Sequence, residues 1–230
     1  MTTSREQSVL DNALKQAAQQ LLSGIANFDA SSILIFGNNS QDVEVIKARW
    51  PEARISFADA NELPSSATFD LVFSNNYFQH LPTHAELINK LYRLLNKDGI
   101  LAVQVPNALN MPIHVLMESI SREKIWKDFF REITANYFVP KYYYEILSEL
   151  GAEIVLWESY FNHIFSHYQE IVDFYSLTEM KPYLAKLSDD EMRDDFKNRL
   201  LNLLPIEYKK QTNSTILFPY RRTFFIAKKQ

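Results

Sequence analysis

Apolar residues recur at helical spacing across 6–23. Val9, Leu10, Ala13, Leu14, Ala17, Leu21 and Leu22 share one face, and Gly24 takes the position that follows a helix end. The run Ser32–Phe36 (SILIF) reads as a strand that stops at Gly37-Asn38-Asn39-Ser40. Helical spacing returns over 41–50, and Pro51 ends it. A strand at 54–58, a polar loop over 61–68 with Pro64, and a buried strand at 69–74 (FDLVFS) follow. A strongly amphipathic helix covers 83–95, with Leu87, Ile88, Leu91, Leu94 and Leu95 inward. Asn96–Gly99 reads as its exit turn and 100–105 as the next strand. Beyond it the pattern predicts helices over 113–133 and 141–150, a strand over 153–160, helices over 168–177 and 189–204, and strands at 214–218 and 222–227. Ser188 with Glu191 three residues on reads as a capping box for the last helix.

Strands alternating with helices up to residue 105 predict an α/β domain whose mostly parallel sheet is covered on both faces. The last two strands are joined by a short turn with Pro219, which predicts an antiparallel hairpin at one edge. Residues 107–140 and 165–205 read as helical additions forming a cap, with 1–230 as one domain. About 31 residues separate Gly37 from Phe69. A crossover with its helix takes at least about 10–12 residues. After the helix at 41–50 and the strand at 54–58, only a loop's length is left before Phe69.

Composition narrows the function classes. Apolar residues make up 47% and charged residues 23%, which excludes bulk disorder. With 24 Lys plus Arg against 28 Asp plus Glu the net charge is −4, which argues against nucleic-acid binding by broad charge neutralisation. Cysteine is absent, so disulfides, thiolate nucleophiles and Cys-ligated metals are excluded. No apolar run approaches 18 residues and 1–8 is polar, so neither a membrane span nor a secretory signal is expected, and a cytoplasmic protein is. The 4 glycines, Gly24, Gly37, Gly99 and Gly151, cannot form a Gly-x-Gly-x-x-Gly or Walker loop. His80 and His84, and His163 and His167, have helical metal-ligand spacing, but no further ligands accompany them and Pro82 breaks the first pair, so no metal site is expected. Asn75 and Asn76 end the strand carrying Asp70, and strand ends are where open α/β sheets bind ligands.

The stretch FDLVFSNNYFQHLPTHAELINKLYRLLNKDGILAVQVP resembles the fourth strand, loop, helix and fifth strand of class I S-adenosylmethionine-dependent methyltransferases, which have a Rossmann-like sheet. A nearer resemblance, to the trans-aconitate 2-methyltransferase family, rests on LAVQVPNALNMPIHVLMESI (101–120), YYYEILSELGAEIVLW (142–157), the His163 and Ser166-His167 neighbourhood, MKPYL (180–184) and RTFFIAKK (222–229). It implies S-adenosylmethionine as cofactor, held by Gly37, Asn38, Asp59, Asn75, Asn76, Gln79 and His80. It also implies a small carboxylic acid substrate, met by Gln104, Asn107, His114, Tyr143, His163, Lys181 and Arg222.

Two departures fall on the cofactor half. The family ends its first strand with an acid before a Gly-x-Gly turn, whereas this chain has Ile35 and then Gly37-Asn38-Asn39. Against the family pattern, one helix-plus-strand unit is missing between 58 and 69. Asp59 then corresponds either to the partner of the adenine amino group or to the acid that holds the ribose hydroxyls, and cannot fill both places. The resemblance implies methyl transfer to a carboxylate oxygen, which is already anionic and needs no catalytic base. The alternatives are a degenerate relative that binds the cofactor weakly or not at all and acts as a binding or regulatory module or by altered chemistry, and a methyltransferase for a carrier-protein-bound malonyl carboxylate.

Overall fold

The computed structural model describes residues 4–37, 41–131, 133 and 136–230. Six strands form one sheet in the order β2-β1-β3-β4-β6-β5. They are β1 (Ser32–Phe36), β2 (Arg54–Ala58), β3 (Phe69–Asn75), β4 (Leu95–Pro106), β5 (Glu153–Phe165) and β6 (Ile216–Lys228). The helices are α1 (Ser4–Ser23), α2 (Gln41–Arg49), α3 (His84–Arg93), α4 (Pro112–Ser121), α5 (Pro140–Glu149), α6 (Tyr168–Ser176), α7 (Lys181–Leu184) and α8 (Asp190–Glu207). β1 pairs in parallel with β2 and β3, and β3 in parallel with β4. Residues 59–68 carry no helix and no strand, so the missing helix-plus-strand unit is a feature of the fold and leaves β2 at the edge.

The described residues gather into two compact units: a sheet unit within 12–107, 136–159 and 222–230, and a helical unit within 1–11, 108–135 and 160–221. On one face of the sheet unit, Leu34, Phe36, Val72, Leu101 and Val103 bury against Ile88, Leu91, Tyr143 and Leu147 of α3 and α5. The helical unit packs Trp126 and Phe130 on Phe196, with ring centroids 5.4 and 5.1 Å apart, and Phe165 and Phe218 on Phe174.

Four expectations are corrected. No edge hairpin forms at the C-terminal end. β6 is one strand running through Pro219 and lying between β4 and β5, and the antiparallel pair is β4 with β6. Pro219 lies outside the ladder to β4, which begins only at Pro106↔Arg222, so no hydrogen bond of that ladder is lost to it. The helix expected over 113–133 ends at Ser121. Tight turns follow, such as Trp126 N–H to Glu123 O at 2.9 Å, and carry Trp126 and Phe130 into the aromatic cluster. Asn96–Gly99 is not a simple exit turn, because β4 already pairs at Phe69↔Leu95 before the register shifts to Leu71↔Ile100. The cap of α8 is Asp189, whose side chain accepts from Met192 N–H at 2.9 Å, while Ser188 donates to Asp189. A charged acceptor at the positive end of the helix displaces the expected capping box.

Asp70 ties the sheet together at the entry of β1. Its Oδ2 accepts from Ser31 and Ser32 backbone N–H at 3.0 and 2.9 Å and from both hydroxyls at 2.9 Å, and Asn96 donates to Oδ1 at 2.7 Å. Partial burial pushes its pKa up, but the bonds from Asn96, Ser31 and Ser32 outweigh it and hold the carboxyl well below the usual carboxylate range. A depressed folded pKa gives stability that is complete above the unfolded value near ~3.9 and is lost as pH falls through the folded value. Asp70→Asn should cost about 1–2 kcal/mol at pH 7 and flatten the loss of stability below about pH 4, as measured by urea denaturation at several pH values.

Candidate functional site

The ends of β1 and β2 open onto a cavity of 720 Å³ lined by Gly37, Phe57, Ala58, Asp59, Glu62 and Leu63, among others. Gly37 has φ +125, and a Cβ there would stand 3.0 Å from Tyr77 Cγ, so only glycine fits both the backbone and the close ring. Its N–H donates to Ala58 O at 2.9 Å. Asp59 is exposed and accepts from Asn61 and Glu62 N–H at 2.8 and 3.2 Å, an Asx turn that shapes the cavity rim. Asn38 lies outside the described residues.

A second polar group sits at the ends of β3 and β4. Asn76, in left-handed conformation at φ 58, donates its N–H to Gln104 O at 3.0 Å and accepts from Gln79 Nε2 at 3.1 Å. Arg222, 1% exposed, donates to Asn76 Oδ1 at 3.2 Å and Gln104 Oε1 at 3.1 Å. Neighbouring Asn75 donates to Leu14 O at 3.1 Å and to Asp42 Oδ1 at 2.9 Å. Among the described residues, the buried atoms Ser74 Oγ, Asn75 Oδ1, Gln79 Oε1 and Gln104 Nε2 have no hydrogen-bond partner. Three such orphans on the ends of β3 and β4 and a fourth just after β3 are unusual for a folded interior and suit a ligand that supplies donors and acceptors. His80 is exposed, its Nε2 3.1 Å from Gln79 Nε2.

Of the remaining expected residues, Asn107 and Tyr143 belong to the sheet unit and His114, His163 and Lys181 to the helical unit. Asn107 is buried and donates to Glu158 at 2.9 Å and Thr223 at 3.3 Å, joining β4, β5 and β6. Tyr143 is in the core of the sheet unit, its hydroxyl 2.9 Å from His84 Nδ1. His84 Nε2 lies 2.6 Å from Phe78 O, so Nε2 carries the proton and Nδ1 accepts from Tyr143. Burial pushes the His84 pKa down. In the helical unit His114 is buried, with Nε2 3.4 Å from Glu118 and Nδ1 3.5 Å from the Tyr175 hydroxyl. Burial lowers its pKa, against the pull of Glu118 and Glu179. His163 packs 5.1 Å from the Phe174 ring, and Lys181 is exposed at the start of α7. No group of three His, Asp or Glu is placed to hold a metal ion, and no helix is long and apolar enough to cross a membrane, among the described residues.

Sequence reasoning missed Asp42, Ser74 and Tyr77. Asp42 is 2% exposed in the first turn of α2, and burial pushes its carboxyl up to about 7 against the lowering effect of Asn75. Only the spacing from Gly37 signals it, since an acid in a first helical turn ordinarily reads as a solvated dipole partner.

A mostly parallel sheet with an antiparallel β4–β6 pair, and polar groups gathered at its strand ends, defines an α/β domain of the kind that carries ligand sites at such ends. The chain belongs to the methyltransferase-domain family, whose profile matches residues 9–156. It is 34% identical over 197 residues to the trans-aconitate 2-methyltransferase of Escherichia coli O7:K1 (strain IAI39 / ExPEC), covering 85% of this chain and 77% of that one. It is 30% identical to the enzyme of the same name from Enterobacter sp. (strain 638), over 93% and 92% of the two chains. Its fold resembles a crystal structure described as a putative methyltransferase from Bacillus halodurans C-125, with a TM-score of 0.56 at 16% identity over 92% of this chain and 98% of that one. It also resembles Haemonchus contortus phosphoethanolamine N-methyltransferase 2 in complex with S-adenosyl-L-methionine, with a TM-score of 0.54 at 15% identity over 93% and 52% of the chains.

Proposed function

We propose that the protein transfers a methyl group from S-adenosylmethionine to a carboxylate oxygen of a small polycarboxylic acid resembling trans-aconitate. The observation that carries this reading is the buried Arg222–Gln104–Asn76 group, where a guanidinium and the orphan donor Gln104 Nε2 meet at the strand ends. Such a pair suits an anionic oxygen. The orphan acceptors and the cavity beside Gly37 fit the cofactor. Gly37 and Asp59 would hold its nucleoside end, and Asn75, Asn76 and Gln79 the methionine end. The cofactor supplies an electrophilic sulfonium methyl. A lone pair of the acceptor oxygen would take that methyl, the electron pair of the broken C–S bond remaining on sulfur. The chain's task is then to align the acceptor, Arg222 and Gln104 fixing one carboxylate so that another faces the methyl.

A non-methylating binding module is the second reading, favoured by Ile35, which is buried and apolar where the family places an acid. Calorimetric titration with S-adenosylmethionine and S-adenosylhomocysteine, followed by assay for methyl esters of polycarboxylates, tests both. The methyltransferase reading expects saturable binding below about 1 mM and ester product. Binding without ester supports the second reading, and no binding at several millimolar removes the cofactor.

A further inference from the structure

At residue 35 the chain lacks the carboxylate that the family resemblance places at the end of β1, and Ile35 is instead packed at 1% exposure. A cationic amine arriving at this end of the sheet gets no anionic partner from β1. An acid reappears at Asp42, in the first turn of α2. The register Ile35↔Phe73 sets Asn75 level with residue 37, and Asn75 Nδ2 donates to Asp42 Oδ1 at 2.9 Å. The same Nδ2 also serves Leu14 O at 3.1 Å, which fixes the amide's orientation. Both amide hydrogens are thereby used, and Oδ1 is buried and without a partner among the described residues.

A desolvated carboxylate and an orphan carbonyl oxygen on one amide make a setting rich in acceptors. A solvated dipole partner for α2 needs neither the burial nor the orphan. A buried carboxylate repays its desolvation best against a hydrogen-bonded cation. We propose that Asp42 and Asn75 Oδ1 take up the ammonium group at the methionine end of the cofactor, in place of the acid missing at residue 35. This rests on the cofactor assignment above.

The test is calorimetry on the full chain with three probes. S-adenosylhomocysteine carries the ammonium group, its deaminated analogue lacks it, and 5′-methylthioadenosine lacks the whole amino-acid end. Asp42→Asn should weaken S-adenosylhomocysteine by about tenfold or more and leave 5′-methylthioadenosine within about twofold. Wild-type protein should prefer S-adenosylhomocysteine to the deaminated analogue by a similar factor, a comparison that does not depend on how the variant folds. Equal loss for both ligands on Asp42→Asn, no loss for either, or a wild type indifferent to the amine would overturn the proposal. If wild type still binds 5′-methylthioadenosine in those cases, the cofactor assignment survives. If wild type binds none of the three probes, both fall.

Discussion

Replacing Arg222 with alanine is expected to destabilise the protein by about 3–5 kcal/mol, because two acceptors lose their donor and a large buried volume empties. Arg222 is among the largest fully buried side chains, and one terminal nitrogen serves both Gln104 Oε1 and Asn76 Oδ1. Water does not replace it easily, since Gln104 is 0% exposed. Arg222→Met should recover most of the packing but not the hydrogen bonds, and cost about 2–4 kcal/mol. Arg222→Lys keeps the charge but not the planar fork that reaches two acceptors, so it should fall between wild type and Arg222→Met. Urea denaturation midpoints check the order, and a loss below about 1 kcal/mol for Arg222→Ala would contradict it. Tricarboxylate anions should raise the melting temperature of wild type and not of Arg222→Met if this guanidinium binds the acceptor.

Phe78→Ala should cost about 3–5 kcal/mol. The ring is 0% exposed and meets Phe36, His84 and Phe225 edge-on at 5.8, 5.4 and 6.4 Å. It sits in a one-turn 3-10 helix, Phe78–His80, two residues after Asn76 and on the segment that carries Gln79. The His84 bond to Phe78 O then loses its packing support while its atoms remain. Phe78→Leu should cost about 1–1.5 kcal/mol, because much of the volume is kept. Denaturation of both variants checks the stability loss. Weakened cofactor binding by Phe78→Leu, with little change in stability, would show that this helix also positions Asn76 and Gln79.

Much of the architecture was legible residue by residue. Leu87, Ile88 and Leu91 gave the buried face of α3, and the short interval between Gly37 and Phe69 gave the missing unit. The strand-end rule led to Asn75 and Asn76, and the resemblance to the methyltransferases led to Gly37 and Asp59 at the ends of β1 and β2, to Gln104 near the end of β4, to Arg222 paired with Pro106 within β6, and to Gln79 in the turn after β3. The misses share a cause. β6 runs through Pro219, β4 reaches back to Leu95, and residues 122–131 turn tightly, because each backbone follows partners distant in sequence. Local periodicity carries no record of those partners.

Asp42 shows the same limit at the level of chemistry. Its place in a first helical turn predicts exposure, and only its hydrogen bond to Asn75, 33 residues along the chain, explains why it is buried. Lys181 and Arg222 both read as cations, yet Lys181 is exposed and Arg222 is buried and hydrogen-bonded to Gln104 and Asn76. By itself the sequence determined the alternation of helices and strands, the absence of cysteine and glycine-loop chemistry, the short interval between Gly37 and Phe69, and the apolar Ile35 near the end of β1. The tertiary structure alone decided which strand lies beside which, which carboxylate is desolvated, and which polar atoms are left without partners. Burial faces are written in local spacing, whereas desolvation and hydrogen-bond pairing depend on residues that meet only when the chain folds.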